Sequence, residues 1–374
     1  MKFKIIQNKL KEGVLTTGRV ATKSVSLPIL KNIHLRVEDN FLCLSATDLE
    51  VGVKWWSLIK IEEEGETTIP LDIFSSFVNL LPEEEKVDLI SEENDLTVIC
   101  KDYETQIKGL DPDDFPIIPM IEDGETVNLK TNRFFEGLRQ VVDIPSNTKV
   151  KPEISGVFFN FEGKVLKLAA TDSYRLAEKI IKLDAEVEDK ISFILPQKAA
   201  KEVLNIFENE EEMEIRFDSN QVLFESTMSE TDHPKIQLSS KLIEGEYPDY
   251  EKIIPEESKT QILLEKEEFL NKIKAASLFS GKVNEVTLTV DPEKNRIEIA
   301  SQDKDLGNYK TGIDCKVEGE KTTISFNHRF LKDGLSEIKS AEIIFSVTDE
   351  ASPGKMIPVG NDDFLYVVMP IRNN

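Results

Sequence analysis

Apolar and polar residues change periodicity in a regular way along this chain. Near Asn8, Leu71, Thr131, Gln197, Lys266 and Asn327 the apolar positions adopt the spacing of a helix with one buried face, and these starts recur every 60 to 69 residues. Phe74, Phe77, Val78 and Leu81 follow i, i+3, i+4, i+7, while Phe134, Phe135, Leu138, Val141 and Val142 follow i, i+1, i+4, i+7, i+8. Between the helices, runs such as "NIHLRVED", "FLCLSATD", "KVDLISEEN" and "DLTVICKD" alternate apolar with polar residues and close on Asn, Asp or Gly, as strands do. Each of six units therefore reads strand, helix, then about three strands. Helices resting on antiparallel sheet make an α+β fold.

The six units group in pairs. "LCLSATDLEVGVKW" at 42 to 55 is repeated as "LKLAATDSYRLAEK" at 166 to 179, which places Thr47 and Thr171 124 residues apart, and "IEIASQDKDLGNYK" at 297 to 310 is a weaker third copy. A second set, "TTIPLDIFSSFVNLL" from 67, "SFILPQKAAKEVLNIF" from 192 and "TISFNHRFLKDGLSEI" from 323, follows at similar distances. A chain of 374 residues exceeds one ordinary hydrophobic core. Three similar domains are expected, at 1–120, 126–255 and 258–374, joined through "PIIPMIEDGET" and "PEESKTQ".

Charge changes the picture at this point. The formal net charge is -24, yet the segments 8–23, 71–81, 131–151, 196–205, 271–282 and 326–339 together carry +9, leaving -33 for the rest. Lysine on a solvated helix face is ordinary. Positive helices in so acidic a chain point instead to one shared surface facing a polyanion.

Candidate chemistry is sparse. There is no "GxxxxGK[ST]" loop, "HExxH", "GxSxG" or cysteine pair at zinc spacing. His34, His233 and His328 lie far apart and read as strand, loop and helix-start residues, and Asp113 and Asp114 in "LDPDDFP" read as turn chemistry. Cys43, Cys100 and Cys315 read as buried free thiols. No catalytic activity, cofactor or metal is expected. No apolar run reaches the ~18 residues of a membrane span, and "MKFKIIQNKLKEG" is unlike a signal peptide. A cytoplasmic location is expected.

The start "MKF", then "LPILKNIHL", "SATDLEVGV", "AATDSYRLA", "EGEYPDYEKIIP" and the ending "YVVMPIR", in order along the whole chain, resemble the bacterial β sliding clamp family, the β subunit of DNA polymerase III. The resemblance implies three domains of two β-α-β-β-β units each, two chains closing head to tail into a ring, and helices that meet duplex DNA through phosphates without reading bases. It implies partners that share short linear motifs: replicative polymerase, clamp loader and repair proteins. Their pocket, between the second and third domains, would comprise Ile154, Thr171, Ser173, Tyr174, Arg175, Leu176, Pro248, Lys252, Ile253, Val367, Met369, Pro370, Ile371 and Arg372. DNA would meet Arg19, Lys23, Arg139, Lys149, Lys151, Lys198, Lys201 and Lys282, and the homodimer interface would pair the edge strand near Tyr103 and Ile107 with the helix around Leu278 and Phe279. Ser173 and Tyr174 stand where some members carry Gly-His, and no paired tyrosines accompany Lys151 in "VKPEISG". The competing readings are a repeated-domain scaffold that binds only proteins, whose helices would not share a basic surface, and an enzyme of nucleotide metabolism, which would need a site the sequence does not display.

Overall fold

The computed structural model describes residues 1–21, 27–121, 124–146 and 150–372. Among these are six α-helices: α1 (Gln7–Gly18), α2 (Leu71–Leu80), α3 (Thr131–Val141), α4 (Gln197–Ile206), α5 (Lys266–Ser277) and α6 (His328–Glu337). Every expected start falls within one residue of the observed one. At α6 the offset has a cause: Asn327 is the N-cap, its side chain accepting the Arg329 N–H at 3.0 Å. The opening N–H groups of α1, α3 and α5 are satisfied from a distance, donating to the carbonyls of Glu85 (2.8 Å), Glu211 (3.1 Å) and Ala341 (2.8 Å). Equivalent partners 75 to 80 residues downstream show one capping device used three times.

The described residues form two compact units, and the division passes through the middle third of the sequence. The first comprises 1–132 and 198–242. Its eight-stranded antiparallel sheet runs from Glu125–Lys130 through Glu212–Phe217, Gln221–Thr227, Pro234–Lys241, Val51–Leu58, Phe41–Thr47 and Asn32–Glu38 to Gly65–Pro70. A five-stranded sheet ends on Tyr103–Ile107. Helix α1 packs on α2 and on the strands at 41–47 and 51–58. It can approach closely because Gly13 faces Trp55: a Cβ there would lie 2.4 Å from the indole ring. Trp55 is 1% exposed and anchors this core.

The second unit comprises 133–197 and 243–374. Its seven-stranded sheet runs from Gly156–Thr171 through Arg175–Pro196, Phe364–Val368, Gly354–Pro358, Glu342–Val347 and Thr260–Glu265 to Lys316–Gly319, beside a four-stranded sheet. Gly137 of α3, 124 residues after Gly13, repeats the close approach: its Cβ would lie 2.6 Å from Ile181. The first two strands are longer than the repeat implied, at 16 and 22 residues, because each continues from one half-domain into the next. Register shifts around Gly163, whose φ is +58°, bend the pair.

Cys100 is buried, whereas Cys43 and Cys315 are only partly so, which corrects the expectation of three buried thiols. His34, His233 and His328 occupy a strand, a loop and the first turn of α6, as read from the sequence.

Candidate partner site and basic helices

In the second unit, Thr171–Arg175 forms a tight turn held by side-chain bonds. Asp172 Oδ1 accepts the N–H groups of Tyr174 at 2.9 Å and Arg175 at 3.0 Å. Thr171 Oγ1 donates to the Arg175 carbonyl at 2.8 Å and accepts the Ser173 N–H at 3.1 Å. These bonds hold Ser173 at φ +76°, a region non-glycine residues seldom occupy. The turn at Thr47–Val51 is built identically, with Asp48 accepting from Glu50 and Val51 and Leu49 at φ +75°.

Arg175 is fixed on several sides. Its Nε donates to Asp172 at 2.9 Å, its Nη1 to Asp333, and its guanidinium lies 5.0 Å from the centre of the Phe330 ring. Tyr174, 62% exposed, stacks loosely over the same ring.

Behind the turn lies an apolar cluster of Ala169, Leu176, Ile194, Tyr247, Tyr250 and Val367, edged by Phe158, Ile243, Ile254 and Leu365. Phe158 and Tyr247 stack at 4.6 Å, and the Tyr250 hydroxyl donates to Glu178 at 2.6 Å. Burial pushes both phenols well above the usual tyrosine range, and the Glu178 carboxylate raises Tyr250 further. They stay neutral, so the cluster is apolar except at that one bond.

The C-terminal segment is tied to this site. Leu176 pairs with Val367 across the sheet, the Met369 N–H donates to the Tyr174 carbonyl at 2.8 Å, and the Ile371 N–H donates to Ser325 at 2.8 Å. Met369, Pro370 and Ile371 are left half-buried, an adaptable apolar strip beside the exposed Tyr174.

The residues expected to line a partner pocket thus divide. Leu176 and Val367 are buried in the cluster behind the turn, Ile154 is also buried, and Thr171 shapes the turn. Ser173, Tyr174, Pro248, Ile253 and Arg372 are exposed, with Arg175, Met369, Pro370 and Ile371 between. Lys252 is 82% exposed and paired with Asp249 at 2.7 Å, while Ile254 enters the cluster where Ile253 does not. Sequence reasoning missed Asp172, Phe330, Asp333 and the Phe158–Tyr247–Tyr250 group. The repeated Thr-Asp at 47–48 and 171–172 was the available signal for the first.

Within the first unit Arg19, the residue after α1, pairs with Glu202 of α4 at 2.6 Å, and Lys198 pairs with Asp48. Both were expected to meet DNA, and each is partly neutralised within the protein. Within the second unit α3 lies beside α6, through Gln140 donating to the Glu337 carbonyl at 2.7 Å and Glu136 pairing with Lys339 at 2.9 Å, and α6 packs on α5. Each unit therefore carries its helices in a row. Arg139 lies in the last turn of α3, Lys201 on α4, and Lys151 and Lys282 are exposed. Lys23 and Lys149 lie outside the described residues.

At the expected interface, Tyr103 stands on an edge strand and is 44% exposed, but Ile107 is 4% exposed and turned into the core. Leu278 is the C-cap of α5 and 69% exposed, and Phe279 follows it and stacks on Tyr309, so these residues end the helix and do not lie within it. Helix α2 leaves Ile73 and Leu80 exposed at 58% and 70%, which the helical pattern did not single out.

Among the described residues no helix is long and apolar enough to cross a membrane, and no three His, Cys, Asp or Glu side chains are placed to hold a metal.

Three family models match in succession: "DNA polymerase III beta subunit, N-terminal domain" over residues 1–119, the central domain over 128–249 and the C-terminal domain over 251–372. The chain is 29% identical to the beta sliding clamp of Bacillus subtilis, with all of both chains covered. It is 26% identical to that of Synechococcus elongatus, covering 100% of this chain and 99% of the relative. The crystal structure of the B. subtilis clamp superposes with a TM-score of 0.93 at 27% identity, and the Thermotoga maritima beta subunit with 0.92 at 27%, each over the full length of both chains. The chain belongs to the DNA polymerase III beta subunit family of DNA sliding clamps.

Proposed function

We propose that two copies of this chain close head to tail around duplex DNA and hold a replicative polymerase, a clamp loader and repair proteins on it, in the cytoplasm and without catalytic residues of their own. The observation that carries this reading is the union, in one compact unit, of the Asp172-braced turn with the C-terminal strip through the Met369–Tyr174 bond. An exposed ring, a half-buried methionine and branched aliphatics make a surface for short apolar motifs from several partners.

The basic helices supply the other half. Phosphate contacts of modest surplus charge guide the duplex without binding it tightly, which suits a protein that must move along any sequence. Retention then rests on encirclement, which keeps a bound polymerase at high effective concentration near its primer end. The domains at 1–120, 126–255 and 258–374 are the repeating parts of that ring.

Primer extension on a singly primed circle tests the reading. With the cognate polymerase, clamp loader and ATP, adding the chain should lengthen the products made in one binding event. Unchanged product length would contradict it.

A further inference from the structure

Helices α3 and α6 lie side by side in the second unit, and the cleft where they meet has a volume of about 200 Å³. Its polar lining is Gln140, Asp143, Arg175, Asp333, Ser336 and Glu337. Three of these are carboxylates and only Arg175 is a cation. That cation is already engaged, donating to Asp172 at 2.9 Å and to Asp333. Glu337 is half-buried, and among the described residues its carboxylate makes no hydrogen bond or ion pair. Burial raises its pKa, and Asp143 and Asp333 raise it further against the pull of Lys339.

A second group in the cleft lacks a partner, and it is not an acid. Gln140 is 5% exposed, and its Nε2 donates to the Glu337 carbonyl at 2.7 Å, which fixes the amide and leaves Oε1 buried at the cleft wall with no donor to accept from. A buried oxygen in that state marks a place where a donor belongs. The first unit carries its own cation at the corresponding position. Arg19 precedes Asp143 by 124 residues, the spacing that relates Gly13 to Gly137, and its guanidinium pairs with Glu202 of α4 at 2.6 Å. Asp143 reverses that charge.

We propose that the cleft between α3 and α6 binds a guanidinium group from outside the chain, held by the Glu337 carboxylate and Gln140 Oε1. Two sources carry that group, an arginine of a partner protein and a free guanidinium compound, and the recognition chemistry is the same for both. A metal ion fits less well, because among the described residues no three His, Cys, Asp or Glu side chains are placed to hold one. A guanidinium spreads five N–H donors over a flat fork and is more weakly hydrated than an ammonium, so it reaches acceptors on two helices at once. The volume lies below the ~300–1,000 Å³ of sites for larger ligands and admits one such head group.

Calorimetric titration of the full-length protein with butylguanidinium tests this, at ~0.15 M salt to screen diffuse surface charge. Wild type should bind it saturably, and butylammonium and Mg²⁺ should each bind more weakly. Glu337→Gln removes one of three crowded carboxylates at nearly constant shape and should weaken binding about tenfold, the loss of one charge-assisted contact. Glu186→Gln, which removes an exposed charge from the strand Arg175–Pro196, should bind as wild type does. Ser336→Arg supplies the group from within the chain: it should raise the thermal midpoint and abolish binding, which decides the matter even if Glu337→Gln fails to fold. The tripeptide acetyl-Ala-Arg-Ala-amide separates the sources. Its binding as tightly as butylguanidinium supports a partner's arginine, and its exclusion supports a free compound. Absence of saturation, equal loss in Glu337→Gln and Glu186→Gln, butylammonium or Mg²⁺ binding as tightly as butylguanidinium, or full binding by Ser336→Arg would each overturn the proposal.

Discussion

The Met369 N–H donates to the Tyr174 carbonyl at 2.8 Å, fastening the last strand of the chain to the turn that Asp172 braces. One backbone bond thus connects two stretches of sequence almost 200 residues apart, and the proposed partner surface draws on both.

Deleting Pro370 to Asn374 leaves that bond in place but removes Pro370 and Ile371 from the apolar strip, along with the Ile371 bond to Ser325. Termini usually tolerate truncation, and the loss of one backbone bond costs about 1 kcal/mol. The truncated protein should keep its dimer mass and unfold at nearly the same denaturant concentration. Its affinity for a replicative polymerase peptide should fall below detection in a titration that saturates the full chain. Equal affinities would remove these residues from the site.

Arg175, a residue of the proposed partner site, is a structural anchor. Its side chain and that of Asp172 are 12% and 10% exposed, so removing it leaves a largely buried carboxylate without its cation. Arg175→Ala should destabilise the protein by about 3 kcal/mol, the low end for breaking a buried pair because the second partner, Asp333, is half-exposed. Urea unfolding measures the loss. Arg175→Lys should recover only part of it, since an ammonium cannot reproduce the forked contacts or the stacking on Phe330.

Burial lowers the pKa of His34 below 6.5, against the opposing pull of Glu66. The sign follows from proton counting: between the depressed folded value and 6.5 the unfolded chain holds a proton that the folded chain does not. The contribution of His34 to stability is therefore complete above pH 6.5 and declines as pH falls through that window. His34→Phe, the residue present at 158 in the second repeat, should lose less stability than wild type between pH 7.5 and 5.5. A parallel decline in the two proteins would show that His34 titrates no differently when folded.

In the homodimer proposed above, the interface would use exposed apolar side chains, Tyr103 with Ile73 and Leu80 on one side and Leu278 on the other. Light scattering after gel filtration should give twice the 42.4 kDa chain mass at micromolar concentration. Leu278→Glu should give the monomer mass. A wild-type monomer at that concentration would count heavily against a ring.

Much of the fold was legible because helices with one buried face leave a 3.6-residue signature that survives in any context. The helix starts at 71, 131, 197 and 266 were readable to the residue, and Asn327 was displaced by one only because a cap belongs to the pattern it precedes. The fusion of half-domains into the strands Gly156–Thr171 and Arg175–Pro196 was not legible, since their middle sections carry charged, solvated residues that resemble loops. The candidate site was named through motif likeness, which picks out residues of the matching motifs, buried and exposed alike, but not the side chains from elsewhere in the chain that hold them. Phe330 and Asp333 sit on α6, more than 150 residues from Arg175, and only the folded chain brings them together. The pairing of His34 with His233 in one cavity was invisible for the same reason.

Encirclement is the central claim, and retention on DNA beads before and after linearisation tests it most directly. Binding through phosphates alone loses roughly 0.9 log units per neutralised phosphate for each decade of salt, whatever the ends of the DNA. Loaded by a clamp loader onto a nicked circle, the protein should survive moderate salt and leave quickly once a cut creates a free end. Reversing Lys151 and Lys282 to Glu should impair loading more than retention on the circle, because the interface, not the charge, keeps the ring shut. Identical loss rates from circular and linear DNA would contradict the account.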